Sequence, residues 1–364
     1  MGSAGRHGSP ISILTSGIGL GVYIPALLIQ RQMRARGASV EVETLEGYYT
    51  SDGQRRHLAH KDAYHRNFDL ALMAHRMARS VEGSLDGPRL SALLDRWAGE
   101  RRRHFIVWSG FWLPVLERYR ARLDDRLEID CCRIDAVVSA SFRVHEDLAR
   151  DAREIWLWNW DERRTVFELP VTEQPALAFA ARDQRLIVHG GGWGLGGYQE
   201  ARAKLVGTGW AADVVVHDRA EVPGDWRGSA DRYFMIDPAW RTWHRGPDGH
   251  TFPPFAEVDA APAGVAEHAL FQLIRRSKAI VSKPGGGTLI DSLASTTPVI
   301  LLEPFGYAEE RNGALWEQLG FGISFARWYQ DGCRDEVLER LHQNLRQRTR
   351  NGPDYPADYL ARMT

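Results

Sequence analysis

Cysteine is scarce in this chain: three among 364 residues, Cys131, Cys132 and Cys333. Three cysteines, two of them adjacent, cannot build a disulfide framework, and the adjacent pair lacks metal-ligand spacing. A reducing compartment is expected, with Cys131 and Cys132 as packing residues. Long apolar runs are also missing, since none reaches the ~18–20 residues that span a bilayer. Met1 to Pro10 is polar and Gly/Ser-rich, without the apolar core of a signal peptide. A cytoplasmic location is therefore expected. Charge of one sign is absent in excess: 46 Lys and Arg stand against 47 Asp and Glu. That balance gives no reason to expect nucleic acid as a partner. No repeat of solenoid period occurs. Hydrophobic content of 44% and charged content of 26% are ordinary for a soluble globular chain. The length suits two domains.

The segments that are present alternate between strand and helix character. Ile11 to Thr15 reads as a strand, Ser16 to Gly21 as a glycine turn, Pro25 to Arg36 as an amphipathic helix, and Val40 to Leu45 as the next strand. This βαβ order favours a parallel sheet. Phe105 to Trp108 and Ala136 to Ala140 read as further strands, separated by helical stretches such as Tyr64 to Ala78 and Leu90 to Trp97. The pattern breaks over Glu168 to Gln174, a Pro-bounded linker, and then restarts. Leu186 to Val188, Val214 to Val216, Tyr233 to Ile236, Ala279 to Val281 and Val299 to Leu302 read as strands. Gly190 to Gly197 reads as a glycine loop, Tyr198 to Val206 as a helix, and Trp240 to Pro254 as an irregular loop. Helices over Asp335 to Arg348 and Asp358 to Met363 close the chain. The expectation is α/β: two doubly wound parallel-sheet domains of Rossmann-like type, over 1–168 and 175–345. A C-terminal helical segment, 346–364, would pack back on the first.

Ser282-Lys-Pro-Gly-Gly-Gly-Thr288 is the most informative stretch. It lies between an apolar strand and a helix start. Three glycines remove every Cβ, so a ligand can approach the backbone. The first amides of a helix are unpaired and carry the positive end of its dipole, which suits a diphosphate. Thr288 adds a hydroxyl and Lys283 a cation. Asp291 lies nearly one turn on, where a carboxylate accepts from ribose hydroxyls. The alternative is a tight turn without a ligand.

Three landmarks follow in order: His189-Gly-Gly-Gly-Trp-Gly-Leu-Gly-Gly197, Ser282 to Thr288 with Asp291, and Pro304-Phe-Gly-Tyr-Ala-Glu-Glu-Arg-Asn312. From about Leu186 to Ser324 the chain resembles glycosyltransferases of the GT-B fold. It is most similar to the group holding monogalactosyldiacylglycerol synthase and the lipid II-forming N-acetylglucosaminyltransferase. The resemblance implies two Rossmann-like domains facing a cleft. It implies that Gly190, Gly191 and Gly192 face a diphosphate held by Lys283, Gly285, Gly286, Gly287 and Thr288, with Asp291 on the ribose. It assigns Glu309, and with it Glu310 and Asn312, to the donor sugar, although Glu310 stands where relatives carry Gln and the spacing to Asn312 is one short. Two carboxylates there favour an amino-sugar donor. The base would be read near Phe255 to Val258, with UDP or dTDP as the nucleotide. The first half fits too: a strand, a glycine turn and a proline-started helix put Gly19, Gly21 and Val22 on the acceptor side. Val22 stands where many relatives have the histidine that acts as general base.

The implied chemistry is sugar transfer from a nucleotide diphosphate sugar to a small-molecule or natural-product acceptor. Transfer would invert the anomeric centre and need neither cofactor nor metal. The only adjacent aspartates, Asp124-Asp125, read as solvated in a charged stretch. The missing base must lie elsewhere in the first half. His57 and His60 share a helical face near His65 and Asp52, and His145 follows the expected strand ending at Ala140. Alternatives are a lipid acceptor at the membrane, a nucleotide-sugar 2-epimerase, and an inactive nucleotide-sugar binding subunit. Membrane contact would come from Phe111-Trp-Leu113 flanked by Arg101 to Arg103 and Arg118, a stretch that reads equally as an acceptor-pocket wall or as core. An NAD dehydrogenase fits less well. The turn from Gly17 lacks the third glycine of the dinucleotide fingerprint, which would fall at Val22 or Ile24.

Overall fold

A computed structural model describes residues 10–77, 79–123, 125–261, 267–348 and 352–363. The polar start Met1 to Ser9, the expected helix end Ala78 and Asp124 lie outside these.

The first sheet is all parallel. Its strands are β1 (Ile11–Thr15), β2 (Val40–Thr44), β3 (His104–Val107), β4 (Glu128–Arg133) and β5 (Arg153–Trp156), in spatial order β2-β1-β3-β4-β5. Its helices are α1 (Leu20–Ala35), α2 (Ser51–Arg66), α3 (Phe68–Arg76), α4 (Gly87–Gly99), α5 (Leu113–Arg120) and α6 (Ala140–Arg143). A hairpin of β6 (Trp158–Asn159) and β7 (Arg164–Thr165) follows.

The second sheet holds β8 (Asp183–His189), β9 (Ala211–Val216), β10 (Arg232–Ile236), β11 (Phe255–Glu257), β12 (Ser277–Ser282), β13 (Val299–Leu301) and β14 (Gly322–Ser324). The order is β11-β10-β9-β8-β12-β13-β14, parallel except for β11. Its helices are α7 (Tyr198–Lys204), α8 (Ala269–Arg276), α9 (Gly286–Ser295), α10 (Gly306–Gln318), α11 (Phe325–Gln330) and α12 (Asp335–Gln347), and α13 (Tyr355–Arg362) ends the chain. In each sheet the order reverses at one point, beside β1 and β3 in the first and β8 and β12 in the second. Crevices form at the carboxyl ends of strands flanking such switch points. Here the two crevices meet.

Three expectations need correction, and one open choice is settled. The strand expected at Ala136 to Ala140 is a loop running into α6, and the real strand is β4, eight residues earlier. β4 carries Glu128, Asp130 and Arg133, charges that disguise a strand. Tertiary partners satisfy two of them. Asp130 accepts from Tyr355 Oη at 3.0 Å and Arg362 Nη2 at 2.6 Å, and Arg133 pairs with Glu154 at 2.5 Å. The helix expected from Pro25 begins at Leu20, with Pro25 inside it. Pro25 has no N–H to donate to the Gly21 carbonyl, so that one helical bond is missing from the first turn. The helix expected from Tyr64 is two helices, broken at Asn67, whose side chain caps α3 by accepting from Leu70 N–H at 2.9 Å. Of the three readings of Phe111-Trp-Leu113, core holds, with exposures of 9%, 0% and 2%. Trp112 donates its indole N–H to the Thr15 carbonyl at 2.6 Å, which fixes the stretch against the end of β1.

One apolar cluster joins the two halves. Ile24, Leu27 and Leu28 of α1 share it with Leu289, Ile290 and Leu293 of α9. The loop after β10 also crosses over. Tyr23 donates to the Thr251 carbonyl at 2.9 Å, Arg245 pairs with buried Glu43, and Thr242 packs onto Gly17 so closely that a Cβ there would overlap its hydroxyl. Gly17 is glycine for that contact.

Candidate active site

The centre is the start of α9. Gly285 is its N-cap residue, and no side chain caps the helix. The first helical bond runs from Leu289 N–H to the Gly285 carbonyl at 3.1 Å, so the amides of Gly286, Gly287 and Thr288 precede it. Gly286 and Gly287 pack against loops of the first domain. A Cβ on Gly286 would lie 2.5 Å from Ile134 Cγ1 and 2.7 Å from its carbonyl oxygen, and one on Gly287 would lie 3.2 Å from Gly21 Cα. Both the turn after β1 and the loop after β4 therefore close on this helix end.

Lys283 joins it to the loop after β8. Its Nζ lies 3.6 Å from where a Gly191 Cβ would stand, and it donates to Glu309 Oε1 at 2.7 Å. His189 sets the shape of that loop. Burial and the nearby Lys283 charge push its pKa down to about 3, so its ring is neutral and Nδ1 accepts from Gly191 N–H at 3.1 Å. Gly194, with φ of 60°, turns the chain back and gives its carbonyl to His65 Nδ1 at 2.8 Å. Gly190, Gly191, Gly192, Lys283, Gly285, Gly286, Gly287 and Thr288 are thus one constellation. Asp291 lies behind them on α9, with His268 Nε2 at 3.3 Å from its Oδ2.

The sugar-side assignments fare differently. Glu309 spends its oxygens on Lys283 and on the Phe305 amide, at 2.7 Å each, and Glu310 is exposed. Asn312 is fully buried. Its amide donates to Asp135 Oδ1 at 2.8 Å and to the Pro284 carbonyl at 3.0 Å, and its oxygen accepts from Ala136 N–H at 2.8 Å. It ties the loop after β4 to the glycine turn.

On the acceptor side Gly19 is open and Gly21 abuts Gly287. Val22 packs against the shared core, its carbonyl accepting from Thr15 Oγ1 at 2.7 Å. His57 stands between Trp193 and Trp243, at ring distances of 5.7 and 5.8 Å, and burial lowers its pKa. His60 stacks on Tyr64. His145 packs edge-on to Phe111, its pKa also lowered by burial.

Two titratable groups that the sequence reading passed over sit at the cleft. His75 of α3 lies 4.8 Å from the Phe305 ring, and burial lowers its pKa. Asp135 follows β4, one residue from Ile134. Burial pushes its carboxyl up to about 6, and Glu309 adds to this, against the lowering by Asn312 and Lys283. The available signal was a single carboxylate just past a strand end, hidden because that strand was misplaced. Among the described residues no cluster of three or more His, Cys, Asp or Glu side chains is arranged to hold a metal. A depression of about 540 Å³ lined by Arg164, Gly320 and Asn344 lies apart from the glycine loops and has no titratable cluster of this kind.

No family model and no curated protein matches the sequence. Solved structures do match over nearly the whole chain. MurG of Acinetobacter baumannii superposes with a TM-score of 0.55 at 10% identity, covering 98% of this chain and 99% of that one. The chain has the GT-B fold. Glycosyltransferase VinC in complex with dTDP gives 0.53 at 11% identity, covering 97% and 98%. Arabidopsis thaliana UGT89C1 complexed with UDP-L-rhamnose gives 0.52 at 12% identity, again covering 97% and 98%. In GT-B terms the meeting of Gly21, Ile134 and α9 is the cleft between the two Rossmann-like domains. Among the described residues, no helix is long and apolar enough to cross a membrane.

Proposed function

We propose that the chain is a glycosyltransferase that moves a sugar from a nucleoside diphosphate donor to a hydroxyl of a small-molecule acceptor, with inversion. One observation carries the reading: the uncapped start of α9, with Lys283 beside it, packs against the loop of the opposite domain that carries the protonatable Asp135. The diphosphate would sit on the amides of Gly286 to Thr288, which stabilise the negative charge that develops as it leaves. Lys283 supplies the positive charge in that step, with one of its three donors already on Glu309.

Asp135 is the general base in this reading. Its loop is fixed to the glycine turn by Asn312, so its carboxylate lies beside the phosphate cradle rather than at a distant histidine. The acceptor oxygen attacks the anomeric carbon, the bond from that carbon to the phosphate oxygen breaks, and the acceptor proton passes to Asp135. A pKa of about 6 suits this exchange near neutral pH. The test is binding followed by transfer. UDP and dTDP should raise the melting temperature, and Thr288→Ala should weaken that shift. Asp135→Asn should keep the shift and lose transfer. No shift with either diphosphate sinks the reading.

One feature supports a lipid acceptor as the second reading. Leu70, Met73 and Met77 on one side of α3 and its cap are 37%, 54% and 58% exposed. Co-flotation with anionic lipid vesicles, lost on replacing Met73 and Met77 with Glu, would favour it.

A further inference from the structure

His65 joins the two domains through both of its ring nitrogens, and each nitrogen faces an atom that can only accept. Nδ1 lies 2.8 Å from the Gly194 carbonyl oxygen, and Nε2 stands at ion-pair distance from Glu221 Oε1, 3.3 Å away. His65 belongs to α2 of the first domain. Gly194 ends the short turn in the glycine loop after β8, and Glu221 lies in the turn after β9. A neutral imidazole has a single N–H. Its Nδ1–H tautomer would set a lone pair against the carboxylate, and its Nε2–H tautomer would set one against the carbonyl. Only the imidazolium suits both partners.

Neither partner is free to turn toward a neutral ring. Glu221 accepts from Tyr198 Oη at 2.7 and 2.9 Å, and its Oε2 also accepts from the amides of His217 and Asp218 at 2.6 and 3.1 Å. The Gly194 carbonyl is aimed by a left-handed residue, φ 60°, and a Cβ there would lie 2.9 Å from His65 Nδ1 and 2.6 Å from His217 Cβ. The His217 ring is 4.4 Å from that of His65. Burial, then the charges of Lys61 and His65, push the His217 pKa down to about 4, so the histidine pair carries one charge rather than two. The other charges nearby are Lys61 and Asp62, about one turn earlier on α2, and Asp218 beside His217. Glu221 therefore keeps the proton on His65, raising its pKa against the opposing effect of burial.

We propose that His65, as an imidazolium, is a positioning residue that ties the loop of Gly190 to Gly197 to the first domain. Provided the donor site proposed above is correct, that loop meets the diphosphate, so diphosphate binding is linked to the His65 proton. The sign of the linkage is fixed. A histidine raised in the folded state keeps its bridge below its ordinary value of 6.5 and loses it as pH rises through the higher folded value.

Two measurements on the full chain test this. NMR of the His65 ring nitrogens, without ligand, should show both protonated at pH 6 and a titration midpoint above 6.5, which Glu221→Gln brings down. Titration calorimetry then gives the affinities of wild type and His65→Asn for UDP and dTDP. The asparagine amide overlays Nδ1 and keeps a donor for Gly194, but it never ionises. The terminal phosphate of the ligand titrates alike with both proteins and cancels in the ratio. Wild type should bind about tenfold tighter than His65→Asn at pH 6, the scale of one hydrogen bond to a charged group, and no tighter at pH 9. A histidine that only packs would give the same ratio at both pH values. That result overturns the proposal, as does a midpoint at or below 6.5. If His65→Asn does not fold, the wild-type midpoint decides. If neither diphosphate binds at any pH, the donor site itself fails, and the midpoint still decides whether the charged bridge exists.

Discussion

Asp135→Asn should make the protein more stable as it destroys transfer. Burial raises the Asp135 pKa from its ordinary 3.8 to about 6. A carboxyl raised in the folded state costs stability wherever it is ionised, and the cost fades as pH falls through the folded value toward the unfolded one. Taking those two values, the penalty is about 3 kcal/mol at pH 8 and about 0.5 kcal/mol at pH 4. Asparagine has nearly the same shape and never ionises. Its oxygen can still accept from Asn312 Nδ2, now 2.8 Å from Asp135 Oδ1. The variant should therefore gain on the order of 2–3 kcal/mol at pH 8 and almost nothing at pH 4. Urea denaturation followed by tryptophan fluorescence at the two pH values measures this as a shift in midpoint. The same variant should bind nucleoside diphosphate as the wild type does but show no transfer. The wild-type kcat/KM should rise with pH through about 6 as the base deprotonates. Asp135→Asn that is less stable than wild type at pH 8, or that retains more than about a tenth of wild-type transfer, would refute the assignment.

Other outcomes follow from the same contacts. Gly286→Ala would push a methyl to 2.5 Å from Ile134 Cγ1 and 2.7 Å from a backbone oxygen that cannot swing away. It should cost about 1–3 kcal/mol and abolish the melting shift given by diphosphate. Gly17→Ala drives a methyl into the Thr242 hydroxyl and should displace the loop after β10. The second change Thr242→Gly should restore much of the lost melting temperature. Glu221 raises the His65 pKa and is itself held at about 2, the two lying 3.3 Å apart. A histidine raised in the folded state contributes its full share below its unfolded value and loses it as pH rises through the folded one. His65→Ala should therefore lower the melting temperature more at pH 6 than at pH 8.5.

Local chemistry in the sequence already determined a good deal. Runs such as Ile11 to Thr15 and Ala279 to Val281 are short, largely apolar and rich in branched residues, which reads as buried parallel strand, and both are. Three glycines between such a strand and a helix have few uses besides letting something close on the backbone. The order of glycine loops pointed to GT-B, and the superpositions agree. What the sequence concealed was every feature that depends on a distant partner. β4 was missed because Asp130 and Arg133 look like surface residues until Tyr355, Arg362 and Glu154 are seen beside them. Phe111 to Leu113 read equally as membrane patch, pocket wall or core, and it is core because other parts of the chain cover it. That Asn312 ties the two domains together depends on Asp135, Ala136 and Pro284, none of them near it in sequence. Asp135 drew no notice because its pKa is raised by burial, which only the folded chain creates. Backbone preference and apolar period act over a few residues, so they are legible in order along the chain. The desolvation and pairing of a charge are set by neighbours that can lie more than a hundred residues away, and only the folded structure brings those together.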